Sequence, residues 1–302
     1  MKVALTGASG FVGRPLVQGL LEAGHTVHVL VRNVEQALSR LPPGVTGAAF
    51  KAGEPLGPEA LAGAEAVVHL AGEPVNHRWT NEGKRRIRDS RVDGTHGVVE
   101  AMRAAGTVRR FVSVSAVGYY GGARGAEPLT EESAPGEDFL AGVCVQWEAQ
   151  ALRAREAGLR VAVARMGVVM HPEGGALHTM LPQFRMGAGG RVGSGKQYVS
   201  WIHRADAVSA LRFLVERPEL EGPFNLTSPE PLTNTEVAHI LAAVLGRPSV
   251  MHIPGFVLKA ALGEMAQMVL EGQRVLPRRL TEAGFTFRLP RLEDALKDLL
   301  AA

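Results

Sequence analysis

Three glycines at a spacing of three occur in the run Thr6-Gly7-Ala8-Ser9-Gly10-Phe11-Val12-Gly13. A pyrophosphate can lie against main chain only where side chains are absent, and this spacing suits it. Gly7 permits a tight turn, Gly10 lets the phosphates approach the backbone, and Gly13 lets a helix pack closely on a strand. A strand at Lys2–Thr6 and a helix at Phe11–Ala23 give the glycines a context that the bare pattern lacks. The second strand ends Leu30-Val31-Arg32-Asn33, without the Asp or Glu that would bond a ribose 2′-hydroxyl and repel a 2′-phosphate. A guanidinium there pairs with a phosphate dianion, so Arg32 predicts NADP(H) in preference to NAD(H). The bland alternatives are an ordinary βα turn and a surface arginine at a strand end.

Other groups carry less decided chemistry. Tyr119 and Tyr120 follow a serine-containing segment between glycines, where a phenol serves as proton donor, as substrate contact or as packing. Glu73 is a carboxylate base, a partner for a ribose hydroxyl or a solvated strand-end acid. Cys144, between Val143 and Val145, reads as buried and inert. None of the ten histidines has HExxH spacing, and one cysteine makes no thiolate cluster, so no bound metal is expected. His203 beside Asp206 reads as structural, and Lys196-Gln197-Tyr198 as a segment within reach of a substrate. The basic cluster Lys84-Arg85-Arg86-Ile87-Arg88 with Arg91 is either a solvated helix face or a contact for an anionic cofactor. It has no aromatic stacking partner, which argues against nucleic acid.

These groups need a scaffold. Apolar runs alternate with helical-period segments through the first half, the pattern of βαβ units on a parallel sheet. Strands are predicted at Lys2–Thr6, Thr26–Val31, Ala66–Leu70, Arg110–Ser115 and Arg160–Arg165, with a poorer one near Ala48–Lys51. Helices are predicted at Phe11–Ala23, Asn81–Ala105 and Phe139–Ala157, with Gly24, Gly106 and Gly158 at their ends. After Arg165 the alternation gives way to a glycine-rich stretch. A helix at Asn234–Leu245, capped by Thr233 and Glu236, and a terminal one at Leu292–Leu300 follow.

The chain has 302 residues, 46% of them apolar and 21% charged, enough for a full core. Its net charge of +3 is too small an excess to imply nucleic acid. Glycines interrupt the N-terminal apolar run before it could form a signal-peptide core, and Phe256–Leu270 is too polar for a membrane span. Together with the lone cysteine, this suggests a soluble, cytoplasmic protein.

Several of these segments together resemble the extended, epimerase-like short-chain dehydrogenases. They are the glycine loop, His69-Leu70-Ala71-Gly72, Ser113 to Gly121, Trp201-Ile202-His203-Arg204-Ala205-Asp206-Ala207 and Phe224-Asn225-Leu226. Ala71-Gly72-Glu73, Arg78-Trp79, Ser90-Arg91, Phe139-Leu140 and Trp147-Glu148 are similar to an atypical NADP-binding subgroup, the epimerase family, whose substrates are mostly unknown. That subgroup carries a small C-terminal domain of unknown function, which Ile253 to Leu299 resembles. The resemblance implies cofactor contacts at Arg32, Leu70, Ala71, Arg86, Arg91 and Val169, with Gly72 and Glu73 beside them.

The resemblance breaks at the catalytic pair. Typical members use Tyr-x-x-x-Lys, the lysine lowering the tyrosine pKa and holding the ribose. Setting Glu148 on the glutamate that follows their lysine puts Leu140 at the tyrosine position and Cys144 at the lysine position. Their serine falls at Ala116, although a one-residue shift would bring in Ser115.

The expected architecture is an α/β Rossmann doubly wound parallel sheet with a smaller, partly interleaved C-terminal substrate region. The NADP-binding part covers 1–170, with 198–228 returning to it, and the substrate region covers 171–302, including 250–299. The expected activity is NADP(H)-dependent, epimerase-like oxidoreduction of a small molecule, with Ser115 and Tyr120 polarising the substrate. The alternative is a non-catalytic NADP(H) sensor.

Overall fold

Apart from the edge strand Thr46–Ala49, the strands are largely apolar and buried on both faces, as parallel strands covered by helices must be. In the computed structural model, which describes residues 1–301, seven of them form one sheet. They are β1 (Lys2–Thr6), β2 (Thr26–Val31), β3 (Thr46–Ala49), β4 (Ala66–His69), β5 (Arg110–Ala116), β6 (Arg160–Met166) and β7 (Gly222–Leu226). Their spatial order is β7-β6-β5-β4-β1-β2-β3, every pair parallel. The winding reverses between β1 and β4, and in such sheets a crevice for ligand opens beyond the strand ends at that reversal.

Period-two alternation sorts the core. Val3, Leu5, Val27 and Val29 face helices α1 (Gly13–Glu22) and α6 (Arg204–Glu216). Ala4, Leu30, Val67 and Phe111 face the other way, toward Val98 and Met102 of α3 (Asn81–Ala105). The short α2 (Val34–Leu38) follows β2, and α4 (Phe139–Leu152) packs against α3. A third core joins α5 (Gly175–Arg185), α7 (Asn234–Val244) and the terminal helix Leu292–Leu300 through Leu181, Phe184, Trp201, Leu241 and Leu296.

Local chemistry sets the helix ends. Thr80 caps α3 by accepting from the Gly83 amide, and Gly106, at φ +66°, closes it. Thr233 and Glu236 form the reciprocal capping box of α7. Two predicted helices differ at their ends. The first starts at Gly13, because Phe11 and Val12 belong to the glycine turn, and Arg153–Ala157 forms a tighter 3₁₀ turn after α4. The sheet strand missing from the periodicity reading is β7, whose middle carries a buried asparagine, Asn225.

Short pairs of strands tie later segments to earlier ones. Val168–Met170 pairs with Trp201–His203, and Ala123–Leu129 with Gly272–Val275. His203 accepts the Ala205 amide as the cap of α6, and Asp206 accepts the amides of Arg288 and Leu289, so both side chains hold backbone. Gln197 likewise donates to the carbonyls of Val192 and Val269.

Candidate functional site

Thr6, the last residue of β1, is fully buried, and its hydroxyl joins three groups at the end of β4. It accepts from the amides of Leu70 (3.1 Å) and Ala71 (3.2 Å) and pairs with Nδ1 of His69 at 2.7 Å. Burial, with Arg91 adding to it, pushes the His69 imidazole down to about 4, so the ring is neutral near pH 7 and takes the hydroxyl proton at Nδ1. The ends of β1 and β4, which flank the crevice, are thereby locked together.

The glycine loop crosses this end. Gly7 is at φ +69°, and a Cβ there would lie 3.0 Å from the Ala71 amide nitrogen. At Gly10 an added Cβ would meet only the Gly7 carbonyl oxygen, at 3.1 Å, so the outer face of the loop is open. At Gly13 it would run into that same oxygen and lie 2.9 Å from Cα of Ala8. Close approach of the start of α1 to the chain leaving β1 therefore demands Gly13.

Beside the loop is a cleft of about 610 Å³. Gly7, Ser9, Gly10, Arg32, Leu70, Ala71, Gly72, Glu73 and Arg86 line it, all of them sequence candidates. The sequence reading missed Phe50, Lys51, Ala52, Asp89 and Asp93, which also line it. Their only signal was position, after β3 and on the exposed flank of α3. Arg32 is exposed at the end of β2, with no ion-pair partner among the described residues. Its neighbour Asn33 is engaged, accepting the Gln36 amide as the cap of α2. Arg86 pairs with Glu82 at 2.7 Å and stands 4.0 Å from Glu73.

Other candidates lie outside this wall. Phe11 turns to the far side of the loop, edge-on to His171 and packed so tightly on Gly174 that a Cβ there would come within 2.8 Å of its ring. Val12 packs into the main core, and Val169 pairs with Ile202 in a short ladder. Arg91 borders the cleft, stacked on Gly72, and its Nη1 donates to the carbonyls of Glu73 (2.9 Å) and Ile87 (3.1 Å).

The corner beyond β5 is closed. The strand keeps regular register through Ser115 (opposite Arg165) and Ala116 (opposite Met166). Ser115 turns toward α4 and donates to Glu148 at 2.8 Å. Glu148 also takes a bidentate pair from Arg165, at 2.9 and 2.8 Å. Arg165 donates to the Tyr120 hydroxyl (2.9 Å), which donates to Asn225 Oδ1 (2.7 Å). Tyr120 is wholly buried, and burial pushes its phenol up to about 12.

Ser115 and Tyr120 thus differ from the groups expected to polarise a substrate, since their polar atoms are committed inside the protein. Sequence reasoning missed Glu148 and Arg165 as their partners, although a charge in the apolar run of β6 and another in the apolar α4 were the available signals. At the positions the resemblance assigns to the relay, Leu140 packs against the buried cluster of Trp79, Ile87 and Val143, and burial pushes the Cys144 thiol up to about 12. Among the described residues no cluster of His, Cys, Asp and Glu is disposed to hold a metal ion, and no helix is long and apolar enough to cross a membrane.

Comparison with known proteins agrees with this geometry. Residues 3–244 match the NAD dependent epimerase/dehydratase family, and residues 253–299 match a domain of unknown function. The chain is 42% identical over 303 aligned residues to an Arabidopsis thaliana protein described as a chloroplastic homologue of epimerase family protein SDR39U1, the match covering 99% of this chain and 87% of that one. The crystal structure of human epimerase family protein SDR39U1 with NADPH superposes with a TM-score of 0.86 at 32% identity, covering 100% of this chain and 99% of that one. MoeE5 in complex with UDP-glucose and NAD, at 23% identity and a TM-score of 0.79 over 100% of this chain and 98% of that one, shares the fold. With the glycine loop, the sheet order and a match over most of its length in agreement, the chain belongs to the NAD dependent epimerase/dehydratase family.

Proposed function

We propose that the chain binds NADP(H) across the ends of β1, β2 and β4 and uses it for oxidoreduction of a small molecule. The observation that carries this reading is the cleft itself. Its wall is a glycine loop whose outer face stays open at Gly10, and its rim holds Arg32 where an acid would select NAD. Backbone amides of the loop suit the pyrophosphate, and Arg32 suits the 2′-phosphate. The bound dinucleotide supplies hydride chemistry, and the protein's part is orientation and exclusion of water. The human relative carrying NADPH supports the same choice of cofactor. In this reading residues 1–170 and 198–228 hold the cofactor, and residues 171–302, with the segment 250–299, shape the substrate side.

A second reading, a non-catalytic NADP(H) sensor, is favoured by one observation. Leu140 and Cys144 fill the relay positions, while Ser115 and Tyr120 are bound into the interior. NADPH titration followed by an assay of NADPH oxidation against a panel of carbonyl compounds separates the readings. Binding with turnover supports the enzyme, binding without turnover supports the sensor, and absence of binding refutes both.

A further inference from the structure

We propose that residues 185–197 and 245–263 form one surface that docks this chain on an anionic phospholipid bilayer, exposed apolar side chains entering the headgroup region and cations meeting the lipid phosphates. The two segments are apart in the chain but joined in space. Gly190–Val192 pairs with Met251–Ile253 as parallel strands, the Gly193 amide donates to the Ile253 carbonyl at 2.9 Å, and His252 Nε2 donates to the Gly193 carbonyl at 2.8 Å. Leu270 closes the junction, since an added Cβ would stand 2.8 Å from it at Gly193 and 3.3 Å from it at Gly255. Gly255 opens helix α8 (Gly255–Leu262).

Apolar groups stand in water here. Helix α8 reads Gly-Phe-Val-Leu-Lys-Ala-Ala-Leu and has no buried residue, whereas α1, α5, α7 and the terminal helix, of similar length, each bury at least three. Phe256 is 74% exposed and Val257 44%. Beside them Val250 is 77% exposed, Met251 49% and Met186 74%. Large apolar side chains grouped on one face forgo burial unless something covers them.

The charge is one-sided as well. The whole chain has 33 Lys and Arg against 30 Asp and Glu, yet these two segments hold Arg185, Arg191, Lys196, Arg247 and Lys259 and no acid. All five are exposed, and none has an ion-pair partner among the described residues. The acids on adjoining elements are engaged, Glu236 in the cap of α7 with Thr233 and Glu264 with Lys84. A second copy of the same face would set these cations against themselves. A nucleic acid would meet the cations but press Val250, Met251, Phe256 and Val257 against phosphates. An anionic bilayer suits both halves of the surface, because its potential draws the cations and its acyl boundary takes the apolar side chains. Such a contact needs no spanning segment.

Co-sedimentation with vesicles tests the docking, one set made of phosphatidylcholine and the other of equal parts phosphatidylcholine and phosphatidylglycerol. Wild type is expected to bind the anionic set at least about 10-fold more tightly, by a margin that shrinks as salt rises. Arg247→Ser with Lys259→Ser is expected to lose about 10- to 30-fold on the anionic vesicles, and Phe256→Ser with Val257→Ser about 10-fold at unchanged charge. Arg109→Ser with Arg155→Ser removes two exposed cations ahead of β5 and β6, at the end of the sheet opposite the cleft, and is expected to lose less than about twofold. Absence of binding to anionic vesicles, equal binding to both sets, or equal losses for the two cation pairs would overturn the proposal. Binding that survives Phe256→Ser with Val257→Ser unchanged would also overturn it, reducing the contact to attraction of a basic protein for any anion. Tighter binding to duplex DNA, lost in the same variants, would give the surface to nucleic acid instead.

Discussion

The glycine-loop cleft and the corner beyond β5 stand at the same end of one sheet and are built by opposite means. The cleft is made of main chain and absent side chains: Gly7 and Gly10 line it, and Gly13 behind them lets the loop close. The corner is made of side chains that have used up one another, Ser115 with Glu148, Glu148 with Arg165, Arg165 with Tyr120 and Tyr120 with Asn225. The difference teaches that one end of a sheet can present an open main-chain cleft beside a corner whose polar side chains are used up in the core. Substitutions in the two regions should fail in different ways.

The largest contrast is expected inside the loop. Gly10→Val should abolish NADPH binding, a loss beyond about 1,000-fold or roughly 4 kcal/mol, with a smaller drop in melting temperature than Gly13→Ala, because the added Cβ meets one backbone oxygen at 3.1 Å instead of colliding with the loop. Gly13→Ala should instead prevent closure of the loop and lower the melting temperature. Titration together with thermal melting of both variants checks this, and a Gly10→Val protein that binds normally would make the loop structural only.

In the corner, Glu148→Leu leaves Arg165 buried without its partner and should cost about 3 to 5 kcal/mol in denaturant unfolding, with NADPH affinity of the folded protein nearly unchanged. Pairing it with Arg165→Met should recover most of that loss. A cost below about 1 kcal/mol for the single variant would mean that the pair is solvated and the corner open.

Alkaline pH gives a smaller effect. Tyr120 is held near 12 in the folded chain against about 10 for a free phenol, so folded and unfolded states both keep the proton below pH 10. As pH rises from 10 to 12 only the unfolded state ionises, and stability falls by up to roughly 2 to 3 kcal/mol. The part of the alkaline loss due to this residue should vanish in Tyr120→Phe. An identical alkaline slope in both proteins would show that Tyr120 is accessible to water.

The same contrast explains what could be read from the sequence. The cleft was legible because its determinants are local: the glycines are three apart, Arg32 ends an apolar strand, and Thr80 and Gly106 bracket α3. The corner was not, because its bonds join residues far apart in the chain, Tyr120 to Asn225 across 105 positions and Ser115 to Glu148 across 33. Family spacing put Leu140 and Cys144 at the relay positions. It could not tell that Ser115 and Tyr120 point into the core, since side-chain direction depends on register with β6 and on packing against α4. Periodicity missed β7, which only the family resemblance of Phe224-Asn225-Leu226 marked, because its buried Asn225 is satisfied by Tyr120 and by the Leu276 carbonyl rather than by anything nearby in sequence.

The central claim is that the open region reads the 2′-phosphate through Arg32, which has no acidic neighbour to neutralise it. Calorimetric titration of wild type and Arg32→Ala with NADP and with NAD tests this most directly. The charge-assisted bond is worth about 1.5 to 3 kcal/mol, so the substitution should weaken NADP by about 10- to 150-fold and leave NAD almost unmoved. Equal losses for the two dinucleotides, or a wild type that prefers NAD, would contradict it.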